Sequence, residues 1–139
     1  MIIADTNVVS EFMRDTPDPV VLEWAESIDA SVLTICVVTV EEIERGLERL
    51  PEGRRRRDLR DRWSRLLETY SESVVVYDLL AARETAALLV VAEASGHPMA
   101  LADAQIAGIC LAGHHHLATR NVKDFAIAPG LAVTDPFST

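Results

Sequence analysis

The chain is short of several things, and each shortage excludes a class. Only two cysteines occur, Cys36 and Cys110. A disulfide scaffold is therefore excluded, and both thiols read as small buried hydrophobes of a reducing compartment. Aromatic residues make up 5% of the chain, too few for a base-stacking platform. Six glycines and six prolines in 139 residues exclude collagen-like and low-complexity chains. Apolar runs such as Leu79–Ala82 and Ala86–Ala92 are too short to span a bilayer. The Met-Ile-Ile-Ala-Asp opening has no basic region and no cleavage site, so a cytoplasmic, membrane-free protein is expected.

What is present is an apolar fraction of 49%, enough for one globular domain covering residues 1–139. The net charge is −9, and it is unevenly placed. Seven arginines and two aspartates fall between Arg54 and Arg65, leaving six basic and twenty acidic residues elsewhere. An acidic body does not attract nucleic acid in bulk; binding one requires a local basic surface, a bound cation, or both.

Short β-branched runs alternate with helical patterns. Strands are expected at Ile2–Asp5, Val32–Val37, Val74–Tyr77, His116–Thr119 and Leu131–Thr134. Asp18-Pro19 opens a helix to about Ile28, Thr39-Val40-Glu41-Glu42 one to about Leu50, and Arg54–Ser71 is a long amphipathic helix. Asp78 caps a helix ending near Gly96, and Gly113 stops another over Leu101–Ala112. This alternation predicts an α/β fold, a three-layer α/β/α sandwich with a mainly parallel sheet.

Ligands of such sheets bind outside the carboxyl ends of the strands. Asp5, Glu42, Asp103 and the stretch Thr119, Arg120, Asn121 and Asp124 all fall there. Three of the acids have plain structural readings as well. Thr39 and Glu42 have capping-box spacing, Asp103 suits a helix N-terminus, and Asp124 suits a turn before Phe125. Asp5 is harder to dismiss, because it ends an apolar strand and no Lys or Arg lies in positions 1–13 to pair with it. Four carboxylates stay ionised together only around a cation. All-oxygen donors select Mg²⁺ or Mn²⁺, which would let an acidic cleft accept a phosphate and activate water for phosphodiester cleavage.

These residues resemble a known family. The stretches Ile2–Glu11, Thr39–Gly46, Ala102–Ala107 and Leu117–Phe125 are similar to those of PIN-domain proteins of the VapC type, the FitB-like subgroup in particular. The resemblance covers residues 1 to about 136. It implies a Mg²⁺- or Mn²⁺-dependent endoribonuclease acting as the toxin of a type II toxin–antitoxin pair. Asp5, Glu42 and Asp103 match its three acidic metal-site residues. FitB-like members carry Asp where this chain has Asn121; other members have Asn there and Asp three residues later, which points to Asp124 with Asn121 assisting. Thr6, Asn7 and Thr119 match polar residues that orient ligands or water. The resemblance also implies a VapB- or FitA-like antitoxin, an RNA substrate and a homodimer.

Other features have two readings each. Arg54, Arg55, Arg56 and Arg57 form either a solvated face paired internally to Asp58 and Asp61, or a track for RNA phosphates. His114-His115-His116 point in different directions, so a metal role yields to a surface role. Trp24 and Trp63 sit on apolar helical stripes, as core or partner groove. Alternatives to the nuclease are a catalytically weak PIN-like binding module, separated by chelator-sensitive RNA cleavage, and a receiver-type phosphotransfer domain, separated by acetyl-phosphate labelling. A haloacid-dehalogenase-like phosphatase needs Asp-x-Asp, and this chain has Asp5-Thr6-Asn7.

Overall fold

Ile2-Ile3-Ala4 forms β1 (Ile2–Ala4), which is short, apolar and paired on both sides. The computed structural model describes residues 1–138. Along the chain follow α1 (Thr6–Phe12), α2 (Pro19–Glu26), β2 (Leu33–Thr34), α3 (Val37–Arg49) and α4 (Arg54–Tyr70). Then come α5 (Leu79–Ala94), α6 (Leu101–Gly113), β3 (His116–Ala118), α7 (Val122–Phe125) and β4 (Val133–Thr134). The sheet order is β2-β1-β3-β4, and every pairing is parallel. All four carboxyl ends therefore open on one edge. Among the described residues no helix is long and apolar enough to cross a membrane.

The pleat sends Ile3 and Ala4 to opposite faces, and a separate core lies on each. Ile3 and Leu117 pack with Leu88 of α5 and Ile106, Ile109 and Cys110 of α6. Ala4 packs with Val8 and Val9 of α1, Val21 of α2, Ile43 and Leu47 of α3 and Trp63 of α4. Leu59, Leu66, Leu67 and Tyr70 of the amphipathic α4 lie against this second core, as does Trp24. The three-layer α/β/α arrangement with a parallel sheet is thus the one observed.

Several boundaries differ from the pattern-based expectation. The second strand stops at Thr34 and Val37 already begins α3, because Val37 N donates to Val75 O at 2.9 Å and needs no side-chain cap. Thr39 is consequently inside the helix and fully buried, so the capping box does not form and Glu42 stands in the second turn. The run Val74–Tyr77 contributes a single parallel bridge, Val75 to Cys36, rather than a full strand. Helix α6 continues through Gly113, and His114 takes the left-handed position at φ 55°. A Cβ at Gly113 would lie 2.2 Å from His115 Nε2, so the His115 ring would have to move aside. Two short helices, α1 and α7, have no counterpart in the sequence reading; both begin at the sheet edge, where tertiary hydrogen bonds replace propensity.

Asp18 caps α2 as expected, accepting from Val20 N at 2.9 Å with Pro19 at the first helical position. Asp78 caps α5 through Ala81 N at 2.9 Å. Cys36 and Cys110 are free and buried. Burial raises both thiols, Cys110 to about 12, so neither is a ready nucleophile.

Candidate active site

Asp5 follows β1 directly and is 4% exposed. Its backbone N donates to Ala118 O at 2.8 Å, prolonging the pairing with β3, while its side chain caps α1. Oδ1 accepts from Thr6 N at 2.8 Å. Oδ2 accepts from Thr119 Oγ1 at 2.7 Å and from Asn7 Nδ2 at 3.3 Å. Burial pushes the Asp5 carboxyl above its ordinary range; the Thr119 and Thr6 donors oppose that, and Glu42 and Asp124 add to it.

Thr119 has no exposed surface and its hydroxyl is fully used. It donates to Asp5 and accepts from Asn7 Nδ2 at 3.3 Å and Asn121 N at 3.1 Å. Asn7 extends this lattice, its Oδ1 accepting from Arg120 N at 3.1 Å. Thr6 Oγ1 donates to Glu42 Oε1 at 2.6 Å and lies 3.3 Å from Thr39 Oγ1. Thr39 thus meets the site through Thr6, a relation visible only in three dimensions.

Asp103 is in the first turn of α6 and half-buried. Burial raises its carboxyl to about 6, and the charges of Asp5, Asp124 and Glu42 push the same way. Asp124 lies exposed on α7, and Asn121 is exposed at its start. The fold therefore brings Asp5, Glu42, Asp103 and Asp124 into one repulsive field. Among the described residues none of the four is in an ion pair. Nor are three such ligating groups closed into a ready-made cage among the described residues; Asp5 and Glu42 each accept from a threonine hydroxyl instead.

Residues of the centre line two cavities. Thr6, Asn7 and Glu42 line a groove of about 1310 Å³ between α1, α3 and α4, with Leu47 and Leu59 on its apolar side and Arg54 and Arg55 among its lining. Asp103 and Asp124 line a second cavity of about 590 Å³, with His97 and Lys123.

An acidic centre of this kind at the carboxyl edge of a parallel sheet can be matched to known proteins. A family model described as the PIN domain matches residues 2–130. The chain belongs to the PIN-domain family. Over 138 residues this PIN domain is 36% identical to the plasmid stability protein StbB of Pseudomonas syringae, covering 99% of both chains. It is 35% identical to the VapC ribonuclease Y4jK of Sinorhizobium fredii, covering 99% of this chain and 98% of the other. The FitAcB structure from Neisseria gonorrhoeae contains a chain of TM-score 0.91 and 28% identity, with both chains covered in full.

The arginine run of this PIN domain divides in two. Arg56 pairs with Glu48 at 3.1 Å, Arg60 with Glu48 at 2.5 Å, and Arg62 with Asp15 and with Met13 O at 2.7 Å. These tie α4 to α3 and to the end of α1. Arg54 lies 3.9 Å from Asp58, as the internal pairing expects, but no described pair involves Asp61. Arg54, Arg55 and Arg57 are exposed. The three histidines diverge: His114 caps α6, His115 Nδ1 lies 3.3 Å from the N-terminal amine, and His116 Nε2 lies 2.7 Å from Thr134 Oγ1. Sequence reasoning missed Glu11, which is buried in the groove wall and accepts from Asp18 N at 2.8 Å and from Arg14. Its signals were a charge among the mostly apolar residues Val8–Met13 and its place at the end of the stretch Ile2–Glu11.

Proposed function

We propose that this single PIN domain, residues 1–139, is a Mg²⁺- or Mn²⁺-dependent endoribonuclease, the toxin of a type II toxin–antitoxin pair. The observation that carries the proposal is the shared field of Asp5, Glu42, Asp103 and Asp124, whose charges act on one another with no cationic side chain paired to them among the described residues. The naming of a 35%-identical relative as a VapC ribonuclease supports it.

The residues fit a hard divalent ion. Every candidate donor is an oxygen, and both thiols are buried away from reaction. Asp5, Glu42, Asp103 and Asp124 would hold the ion, with Asn121 beside Asp124. When bound, it would supply Lewis-acid stabilisation and an acidified water for phosphodiester hydrolysis. Thr119 and Asn7 fix the Asp5 carboxylate, and Thr6 fixes Glu42 Oε1, leaving Oε2 without that donor. Asp103 must give up its proton before it can ligate, which sets a lower pH limit. No histidine or lysine base is needed.

The partner is a VapB- or FitA-like antitoxin, as in the FitAB and VapBC complexes to which the fold is similar. The exposed apolar residues Leu79, Leu80 and Val90 of α5 and Leu101 of α6 support pairing with a second copy.

Incubation with a panel of structured RNAs and Mn²⁺ tests the proposal. Cleavage abolished by chelator and by Asp5→Asn is expected. RNA left intact by well-folded protein in Mn²⁺ would return the chain to the binding-module reading.

A further inference from the structure

We propose that Arg120 is a substrate-positioning residue whose guanidinium, braced on Phe137, receives an RNA phosphate at the rim of the acidic centre. The inference rests on the nuclease reading and adds to it the group that holds the flanking backbone.

The backbone locates Arg120. It follows Thr119 at the carboxyl end of β3, and its N donates to Asn7 Oδ1 at 3.1 Å. The residue is thus tied to the same lattice that orients Asp5. Strand β4 is parallel to β3, so the segment after Thr134 leaves the sheet on the same edge. That segment carries Phe137, whose N donates to Asp135 Oδ1 at 2.9 Å and whose ring packs against the second core. The Arg120 guanidinium carbon lies 4.4 Å from the centroid of this ring. A guanidinium stacked on a fixed ring is oriented before any ligand arrives, so less side-chain freedom is lost on binding.

The charge pattern points the same way. Acids outnumber bases 22 to 13, and Arg14, Arg45, Arg54, Arg56, Arg60 and Arg62 each have a carboxylate partner. Arg120 has none among the described residues; Arg49, Arg55, Arg57, Arg65, Arg83 and Lys123 share that, but among the described residues Arg120 alone is also stacked on an aromatic ring. It does not neutralise the centre either, because the charges that act on Asp5 and Asp103 are all carboxylates. A polyanion approaching such a centre is repelled. A planar guanidinium on a residue whose backbone is tied to Asn7, with one face on an aromatic ring and no described partner for its N–H groups, matches the fork geometry of a phosphate.

Three variants and a control decide the matter. Cleavage of a fluorescent single-stranded RNA in Mn²⁺ measures KM and kcat. Fluorescence anisotropy of the same RNA in Ca²⁺, over a range of salt, measures Kd. Arg120→Ala should raise KM and Kd about 3–10-fold, with kcat nearly unchanged, and lower the salt slope by about 0.7, the loss of one phosphate contact. Arg120→Lys should restore the slope but not the full affinity, since the charge remains and the stacked fork does not. Phe137→Leu should keep the slope and raise Kd by less than Arg120→Ala. Arg49→Ala, at the far end of α3, removes an equal charge and should match the parent. If Arg120→Ala lowers Tm but leaves KM, Kd and slope at parental values, the residue only staples the C-terminal segment and the proposal fails. It fails equally if RNA binding is untouched and only capture of an acidic peptide weakens. If Arg120→Ala does not fold, Arg120→Lys and Phe137→Leu carry the test. A parent that cleaves no RNA overturns the nuclease reading itself; a cleaving parent matched by Arg120→Ala overturns this inference alone.

Discussion

Thr119 Oγ1 donates to Asp5 Oδ2 at 2.7 Å, joining residues 114 apart in sequence and both withdrawn from solvent. A charge-assisted bond in that setting holds the carboxylate in one orientation and opposes the cost of its burial. Thr119→Val keeps the shape and removes the donor. The expected result is a loss of about 1–3 kcal/mol, read as a fall in the urea midpoint, together with weaker Mn²⁺ binding by calorimetry. Thr119→Ser should recover most of both. A valine variant with parental metal affinity would show that the hydroxyl does not orient Asp5.

Asp5→Asn removes the central charge and keeps the volume. Cleavage in Mn²⁺ should drop by at least about 100-fold, as expected for loss of a group that stabilises charge in the reaction. The metal-free protein should at the same time become more stable, because a charge disfavoured first by burial and then by Glu42 and Asp124 is gone, which outweighs the acceptor lost to Thr119 and Asn7. Thermal melts of both proteins in EDTA measure this. An Asn variant that melts below the parent would show that the lost acceptor outweighs the relieved charge.

Asp103 gives a pH dependence of definite sign. Its carboxyl is raised from an ordinary value of 3.8 to about 6, by burial first and then by Asp5, Asp124 and Glu42. The folded state therefore holds the proton more tightly than the unfolded chain. Its contribution to stability is complete below about pH 4 and is lost as pH rises through about 6. For a half-exposed group the effect is on the order of 1–2 kcal/mol after solvent screening. In EDTA, Asp103→Asn should be more stable than the parent at pH 7, with the gap closing toward pH 4. Metal affinity of the parent should run the opposite way, falling below pH 6 as the proton competes. A pH-independent gap between the two proteins would refute the assignment.

The arginine run predicts a split between neighbours. Arg56 is 15% exposed at its side chain, pairs with Glu48 and has a buried Nε with no partner among the described residues. Arg56→Ala should cost about 1 kcal/mol of stability through lost packing and pairing. The combined Arg54→Ala, Arg55→Ala and Arg57→Ala variant should leave Tm within a degree or two, since these side chains are exposed. If the run tracks RNA phosphates, the same variant lowers the salt slope of binding by about 2. An unchanged slope would reduce the run to a solvated face.

Helices α5 and α6 meet at Gly108, where an added Cβ would lie 2.1 Å from Thr85 Oγ1 and 2.7 Å from Ala81 O. Gly108→Ala should cost about 1–3 kcal/mol or more, because one of the two atoms is backbone and cannot swing away. Adding Thr85→Ala should recover only part of the loss. Full recovery in chemical denaturation would place the clash on the hydroxyl alone.

Much of the architecture was legible in the linear order. Alternating β-branched and helical segments determined a parallel α/β fold, because parallel strands need crossovers and the helices supply them. Asp18-Pro19 and Asp78 started their helices where expected, since a side-chain cap acts within three residues. The four acids could be placed at one edge for the same topological reason. The details depended on contacts between distant segments. Helix α3 begins at Val37 because Val75 supplies its hydrogen-bond partner, and this moved Glu42 by a turn and buried Thr39. The separation of Arg56 from Arg55, the Thr6–Glu42 bond, and the stacking of Arg120 on Phe137 follow no local pattern. Periodicity records which face a residue takes within its own element; what lies opposite that face is set only when the elements pack.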